Sequence, residues 1–233
     1  MKVSLLGIDG VHLGKHNVKD VRLDQIDELV EAKKKTYAQV DVVGEDEALT
    51  ADAIAVSTSS RLDLVLQDLE LVETRLGRNP DEAEKVVLEK IRTCLESDNV
   101  ISAAGLTPEE MQIVGAHAFA TTKPIVVATP EDVEHFDAFL PRVVAEGGYI
   151  SFLTVGGAEN RAWLIKKGAT AAEAGGAIHT DIEKGFIRAE IISFADVIAA
   201  GGETQAKRDH KLRLETRQYV MQDCDLTNFR FNK

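Results

Sequence analysis

The sequence is short of cysteine, of basic charge and of long apolar runs. Its two cysteines, Cys94 and Cys224, stand far apart, one in a helical pattern and one in a strand pattern. That spacing excludes a disulfide framework and is read as two unpaired thiols in a reducing, cytoplasmic setting. No apolar run approaches the roughly 20 residues of a membrane span, so no membrane is expected among the partners. The opening MKVSLLGIDG has one lysine and a short apolar run before Gly and Asp, and reads as a first strand rather than a signal peptide. The six histidines are scattered. His12 and His16 are four apart, but Gly14 lies between them and no further ligand stands at matching spacing, so they read as solvated loop residues. No catalytic residue, metal or cofactor is therefore expected. Internal repeats and low-complexity segments are absent as well.

Acidic residues outnumber basic ones, 39 to 27, for a net charge of −12. The imbalance is confined to one part of the chain. Residues 1–150 hold 15 basic and 28 acidic side chains, whereas residues 151–233 hold 12 and 11. An acidic first part beside a near-neutral second part places a domain boundary near residue 150. It also argues against the first part lying on a phosphate backbone. A length of 233 residues and a hydrophobic content of 44% suit one large or two small globular domains with a real core.

One stretch stands out, Gly176 to Ile192, which reads GAIHTDIEKGFIRAEII. It starts apolar at Ala177 and Ile178. It then carries a polar cluster, His179, Thr180, Asp181, Glu183 and Lys184, turns at Gly185, and leaves as a strand alternating from Phe186 to Ile191. So much charge and hydrogen-bonding capacity in six residues predicts a surface loop held by the scaffold. The side chains of Thr180 and Asp181 are expected to bond nearby N–H groups there.

This stretch, with RAWLIKKGATAAEAG before it and LETRQYVMQDCDLTNFRFN after it, resembles the C-terminal part of the YchF family, the Obg-like P-loop ATPases and GTPases associated with translation. The resemblance covers most of residues 148–233. It implies a small β-grasp domain of the TGS type there, with His179, Thr180, Asp181, Glu183, Lys184 and Gly185 as its signature loop. It further implies that residues 1–147 are a P-loop-like α/β domain with a helical-hairpin insert at about 58–104, giving an α/β chain that is α+β overall.

The nucleotide-binding motifs are altered. A phosphate loop needs G-x-x-x-x-G-K-[ST] opening a helix, so that backbone N–H groups wrap the phosphates and the hydroxyl holds Mg²⁺. After the first strand the chain instead reads GIDGVHLGKHNV. Lys15 is followed by His16, the glycine spacing is wrong, and Asn17 to Asp20 is polar and irregular. Asp41 to Gly44 sits where the family carries D-x-x-G. Without the phosphate loop, Asp41 and Gly44 read as a strand end and its turn. Gly10, Gly14, Lys15, Asp41 and Gly44 are the candidate nucleotide contacts if any survive. Past the strand PIVVAT, where the family has an Asn-to-Glu variant of N-K-x-D, the chain reads Ala128-Thr129-Pro130-Glu131. Thr129 and Pro130 there suit a helix N-cap and first turn.

Other segments are read from periodicity. Arg22 to Lys34 is a short helix with Leu23, Ile26, Leu29 and Val30 on one face. Apolar stripes over residues 60–76 and 82–95, across Gly77-Arg78-Asn79-Pro80, predict an antiparallel helical hairpin. A helix is expected from Gln205 to about Arg213, and a strand over Gln218–Gln222. Within that region Lys207, Arg208, Lys211, Arg213 and Arg217 crowd eleven positions, diluted only by Asp209 and Glu215. They form either a solvated face or a contact with RNA phosphates. The function expected is that of a non-catalytic, translation-associated binding protein whose C-terminal domain meets the ribosome, RNA or a protein partner. The alternative is residual ATP or GTP binding or hydrolysis. Phosphoryl transfer needs its parts placed together, and three of them are missing or altered here.

Overall fold

The structure, a computed structural model, describes residues 1–232. The chain opens with β1 (Lys2–Leu6), β2 (Gly14–Val18), α1 (Val21–Leu29), β3 (Lys35–Thr36), β4 (Ala38–Val43) and β5 (Ala53–Ser57). Three helices follow, α2 (Arg61–Leu76), α3 (Glu82–Glu96) and α4 (Pro108–Val114), and then β6 (Ile125–Ala128), α5 (Pro130–Glu134) and α6 (Phe136–Glu146). The last part comprises β7 (Tyr149–Thr154), β8 (Asn160–Lys166), α7 (Ala171–Ile178), α8 (Thr180–Lys184), β9 (Phe186–Ile192), α9 (Phe194–Ala200), α10 (Glu203–Arg208), β10 (Arg213–Glu215) and β11 (Asp225–Phe231). The fold is mixed α/β with two sheets. No described helix is long and apolar enough to cross a membrane.

The chain divides into two compact units. The first holds Met1–Lys15 and Asp41–Phe139, the second His16–Val40 and the residues from Leu140 onward. The first unit carries a sheet in the order β2-β4-β1-β5-β6. β1 is parallel to β4 and to β5, and β5 to β6. A parallel strand covered on both faces reads as an unbroken apolar run, and Ala53, Ile54, Ala55 and Val56 of β5 are all fully buried. Helices α2 and α3 form the expected hairpin around Val65, Val72, Val87, Leu88, Ile91 and Leu95. Asp81 starts α3 by accepting from Glu84 N–H at 2.9 Å. Thr107 and Glu110 form a capping box on α4, which ends at Val114.

The second unit carries a sheet in the order β10-β9-β11-β7-β8-β3. β7 and β8 form an antiparallel hairpin, β9 is antiparallel to β10 and β11, and β11 runs parallel to β7. Successive strand residues point to opposite faces. Leu153, Ile192 and Leu226 therefore pack with Leu23 and Ile26 of α1, Val197 of α9 and Ala206 of α10. Phe152, Ala189, Ile191 and Phe229 pack with Ala171 and Ala174 of α7 and Ile182 of α8.

Three expectations need correction. Helix α1 and strand β3 lie with the C-terminal part, not with the N-terminal one, because the apolar face of α1 is buried on the second sheet and β3 pairs with β8; Leu23 and Ile26 are 0% exposed. The second unit thus extends beyond the boundary expected at residues 147/148. The helix expected from Gln205 to Arg213 stops at Arg208, where Asp209 caps it and His210 turns the chain at φ 59°; Arg213 lies on strand β10. Residues 218–222 are not a strand beyond one bridge between Thr170 and Val220. Both cysteines are unpaired, and Cys224 sits at a turn with φ 63° just before β11.

Candidate functional site

The loop after β1 leads from one strand into another. Gly7 and Gly10 take positive φ, 62° and 80°, and the chain then enters β2 at Gly14. Gly14 and Lys15 thus open an edge strand, and the next helix, α1, starts only at Val21. Lys15 is exposed. Gly7 packs against the β5–α2 turn: a Cβ there would fall 2.0 Å from Ser60 Oγ. Ser57 and Ser60 hydroxyls bond each other at 3.0 Å, which closes that turn on itself. Asp41 faces solvent on β4 in register with Lys2. Gly44 ends the strand, and its carbonyl accepts from Ser4 Oγ at 2.9 Å. His12 lies in the loop and His16 on β2, not in a loop as expected. No group of three or more His, Cys, Asp or Glu among the described residues is placed to hold a metal.

At the position where a nucleotide base would be read, Thr129 caps α5 as expected. Asp132 returns the bond in a capping box: Thr129 N–H donates to Asp132 Oδ2 at 2.8 Å, and Asp132 N–H to Thr129 Oγ1 at 3.2 Å. Both side chains are committed to the helix start.

The signature cluster is helical, not a loop. His179 ends α7 and starts α8, its Nδ1 accepting from Asp181 N–H at 3.1 Å. Thr180, Asp181, Glu183 and Lys184 form one turn of α8, anchored by the buried Ile182. The buried Ile182, packed among Phe152, Ala171 and Ala174, holds this turn of helix against the core. Gly185 then meets the last strand. Its N–H bonds Asp181 O at 2.9 Å, its carbonyl accepts from Asn232 N–H at 3.0 Å, and a Cβ would fall 1.9 Å from Asn232 O. Gly185 has φ −88°, so it is required by close approach and not by a left-handed backbone.

The basic segment is largely compensated by its own surroundings. Lys207 pairs with Glu203 at 2.7 Å and Lys211 with Asp196 at 3.1 Å. Arg213 donates to Tyr219 Oη at 3.1 Å and lies 3.9 Å from Asp225, and Arg217 donates to Glu183 O at 3.0 Å. Arg208 has no carboxylate partner among the described residues and is exposed. Exposed pairs of this kind are weak and exchange readily for other anions.

Two charged clusters escaped the sequence reading. Arg22 donates to Asp20, Asp223 and Ser151. Burial pushes the Asp20 carboxyl up, but the bonds from Arg22 outweigh it and hold the group below its usual range. In the first unit, Glu84 accepts from Arg75 Nε and Nη2 at 2.6 and 2.7 Å, and His117 Nε2 lies 2.8 Å away. The Arg75 bonds hold Glu84 down at about 2, against the opposing effect of burial. Neither cluster has a motif; the only sequence signal was a charge inside an apolar pattern.

Comparison with known proteins finds relatives for the chain. The family model YchF-GTPase_C, described as a protein of unknown function (DUF933), matches residues 149–232. The chain is 33% identical over 202 aligned positions to the ribosome-binding ATPase YchF of Haemophilus influenzae, which covers 64% of this chain and 56% of that protein. It is 32% identical over 232 positions to YchF of Escherichia coli O157:H7, covering 73% and 64%. Obg-like ATPase 1 of Caenorhabditis elegans is 28% identical over 223 positions, covering 70% and 56%. The chain thus spans less than two thirds of the length of these relatives. The solved structure of the Schizosaccharomyces pombe YchF GTPase superposes with a TM-score of 0.76 at 19% identity, covering 99% of this chain and 97% of that one, which speaks for the fold. From the C-terminal motif, these relatives and this shared fold, the chain belongs to the YchF family.

Proposed function

We propose that this protein is a non-catalytic, ribosome-associated member of its family, whose C-terminal unit makes the contact. The observation that carries the reading is the passage from β1 into strand β2 at Gly14-Lys15, where a phosphate cradle needs a helix N-terminus. The names of the bacterial relatives, ribosome-binding ATPases, support the ribosome as partner. The second unit supports the β-grasp (TGS) reading, since α7 is wrapped by a sheet whose central strands β7 and β11 are parallel. Lys207, Arg208 and Lys211 supply exchangeable cations for a phosphate backbone. Co-sedimentation with ribosomes tests this reading. Binding is expected without nucleotide and should fall with salt, with a log–log slope of about −0.7 per phosphate contact for single-stranded RNA. Lys207→Gln with Arg208→Gln should flatten that slope. Absence of the protein from the ribosome pellet at low salt overturns the proposal.

The names of the same relatives favour a second reading, nucleotide binding through Gly10, Gly14, Lys15, Asp41 and Gly44. Titration with ATP and GTP, with and without Mg²⁺, separates the two. On the first reading both bind no better than a simple anion. A Mg²⁺-dependent micromolar affinity abolished by Lys15→Ala establishes the second.

A further inference from the structure

A cleft of about 230 Å³ opens in the first unit, beside the end of the helical hairpin. One wall is a single stripe of α2 and its continuation, Leu71, Thr74, Arg75 and Arg78, at offsets of three, four and seven from Leu71 and so on one face. The other wall is the non-helical stretch after α4, which brings Ala116, His117, Ala118 and Phe119 against that stripe. Its floor is apolar: Phe119 is 2% exposed, whereas Leu71, at 45%, lines the mouth. The rim is cationic. Arg78 is exposed and its guanidinium has no carboxylate within ion-pair distance among the described residues. Arg75 spends Nε and Nη2 on Glu84, which leaves Nη1 for another acceptor. The Glu84 contact also fixes the ring of His117, which lies 5.5 Å from the Phe119 ring.

An apolar floor under two guanidinium groups, in a part of the chain that is otherwise strongly acidic, selects a ligand that is apolar at one end and anionic at the other. The volume is below the roughly 300–1,000 Å³ of cofactor and small-molecule pockets, so it suits one side chain and its charge rather than a nucleotide. We propose that this cleft binds a carboxylate carried on an apolar group, the apolar part resting on Phe119, Leu71 and the two alanines. The carboxylate lies between Arg78 and the free nitrogen of Arg75, where a planar fork suits it better than a lysine would. A peptide C-terminus ending in a large apolar residue and a free small acid share this chemistry.

The test uses the whole protein, ¹⁵N-labelled, titrated with three probes: N-acetyl-Leu-Phe, its C-terminal amide, and 3-phenylpropionate. The acid forms are expected to shift the amides of Leu71, Arg78, His117 and Phe119. Loss of a charge-assisted pair should weaken binding about tenfold in the amide and in Arg78→Gln. Leu71→Ser, also at the surface, should weaken all three probes alike, and unchanged spectra elsewhere report that both variants fold. A dipeptide binding more tightly than 3-phenylpropionate identifies a peptide terminus as the source, and the reverse order identifies a small acid. Equal binding of acid and amide, indifference to Arg78→Gln, or no shift at millimolar probe overturns the proposal.

Discussion

Arg22 on α1 donates through Nη1 to Asp223 at 2.6 Å, across 201 positions of sequence, and through Nη2 to Asp20 at 2.8 Å. The guanidinium thereby ties the start of α1 to the turn that precedes the last strand of the second unit. The bonds to Asp20 and Asp223 raise the Arg22 pKa against the opposing effect of burial.

Removing this group should therefore cost more than a surface charge does. Arg22→Met is expected to lose about 2–3 kcal/mol, because it leaves Asp20, a half-buried carboxylate, without its main donor. Urea unfolding at neutral pH measures it. A loss below about 0.5 kcal/mol, the range of ordinary surface changes, contradicts the role given to Arg22.

The place of α1 leads to a second expectation. Leu23 and Ile26 are completely buried in the cluster that also holds Leu153, Ala162, Ile192 and Leu226. A fragment of residues 148–233 lacks them and exposes that face of the sheet. It should give a poorly dispersed NMR spectrum alone and a dispersed one when a peptide of residues 16–40 is added. In the whole chain, Leu23→Ala should cost about 2–5 kcal/mol. A well-dispersed spectrum from the fragment by itself would show that α1 is dispensable.

Glu84 makes the first unit acid-sensitive. Its folded pKa, about 2, lies below the ordinary value of 4.5 because Arg75 and then His117 bond the charged form. A lowered carboxylate contributes stability that is present above its unfolded pKa and is lost as pH falls through its folded pKa. Melting temperature should thus drop between about pH 4.5 and pH 2, and Glu84→Gln should flatten that acid limb while lowering stability at pH 7. Parallel acid limbs for the two proteins would show that other carboxylates dominate.

Gly185 sits so close to the C-terminal strand that any side chain collides with main chain. A Cβ would fall 1.9 Å from Asn232 O and 3.1 Å from Asp181 O, and neither is a flexible tip. Gly185→Ala is expected to destabilise by about 1–3 kcal/mol through overpacking, with the amides of β11 and α8 losing hydrogen-exchange protection first. A neutral result would show that the strand end yields.

Several features were legible in the sequence because they depend on neighbours along the chain. The capping boxes at Thr107, Thr129 and Thr170 formed where a hydroxyl residue stands three positions before an acid. The helical hairpin followed from its apolar stripes, and β9 from alternation after Gly185. The local misjudgements were the helix end after Gln205, the strand over residues 218–222 and the cluster from Thr180 to Lys184. The charge of that cluster suggested a loop, but the single buried Ile182 was enough to hold a helical turn against the sheet.

Nothing local marked the rest. Residues 16–40 carry an amphipathic helix that any apolar face would accept, and only packing decided that it covers the second sheet. The glycine at position 185 looked like a turn residue, and its true constraint is a strand 47 positions away. Arg75, Glu84 and His117 are unremarkable charges until the hairpin and the stretch after α4 meet. Sequence by itself determined the family motif, the caps and the periodicities, because these are set within a few residues by backbone geometry and side-chain spacing. Tertiary structure alone decided which faces pair, which charges share a site and where a cleft is left, because those depend on contacts between segments that the chain keeps far apart.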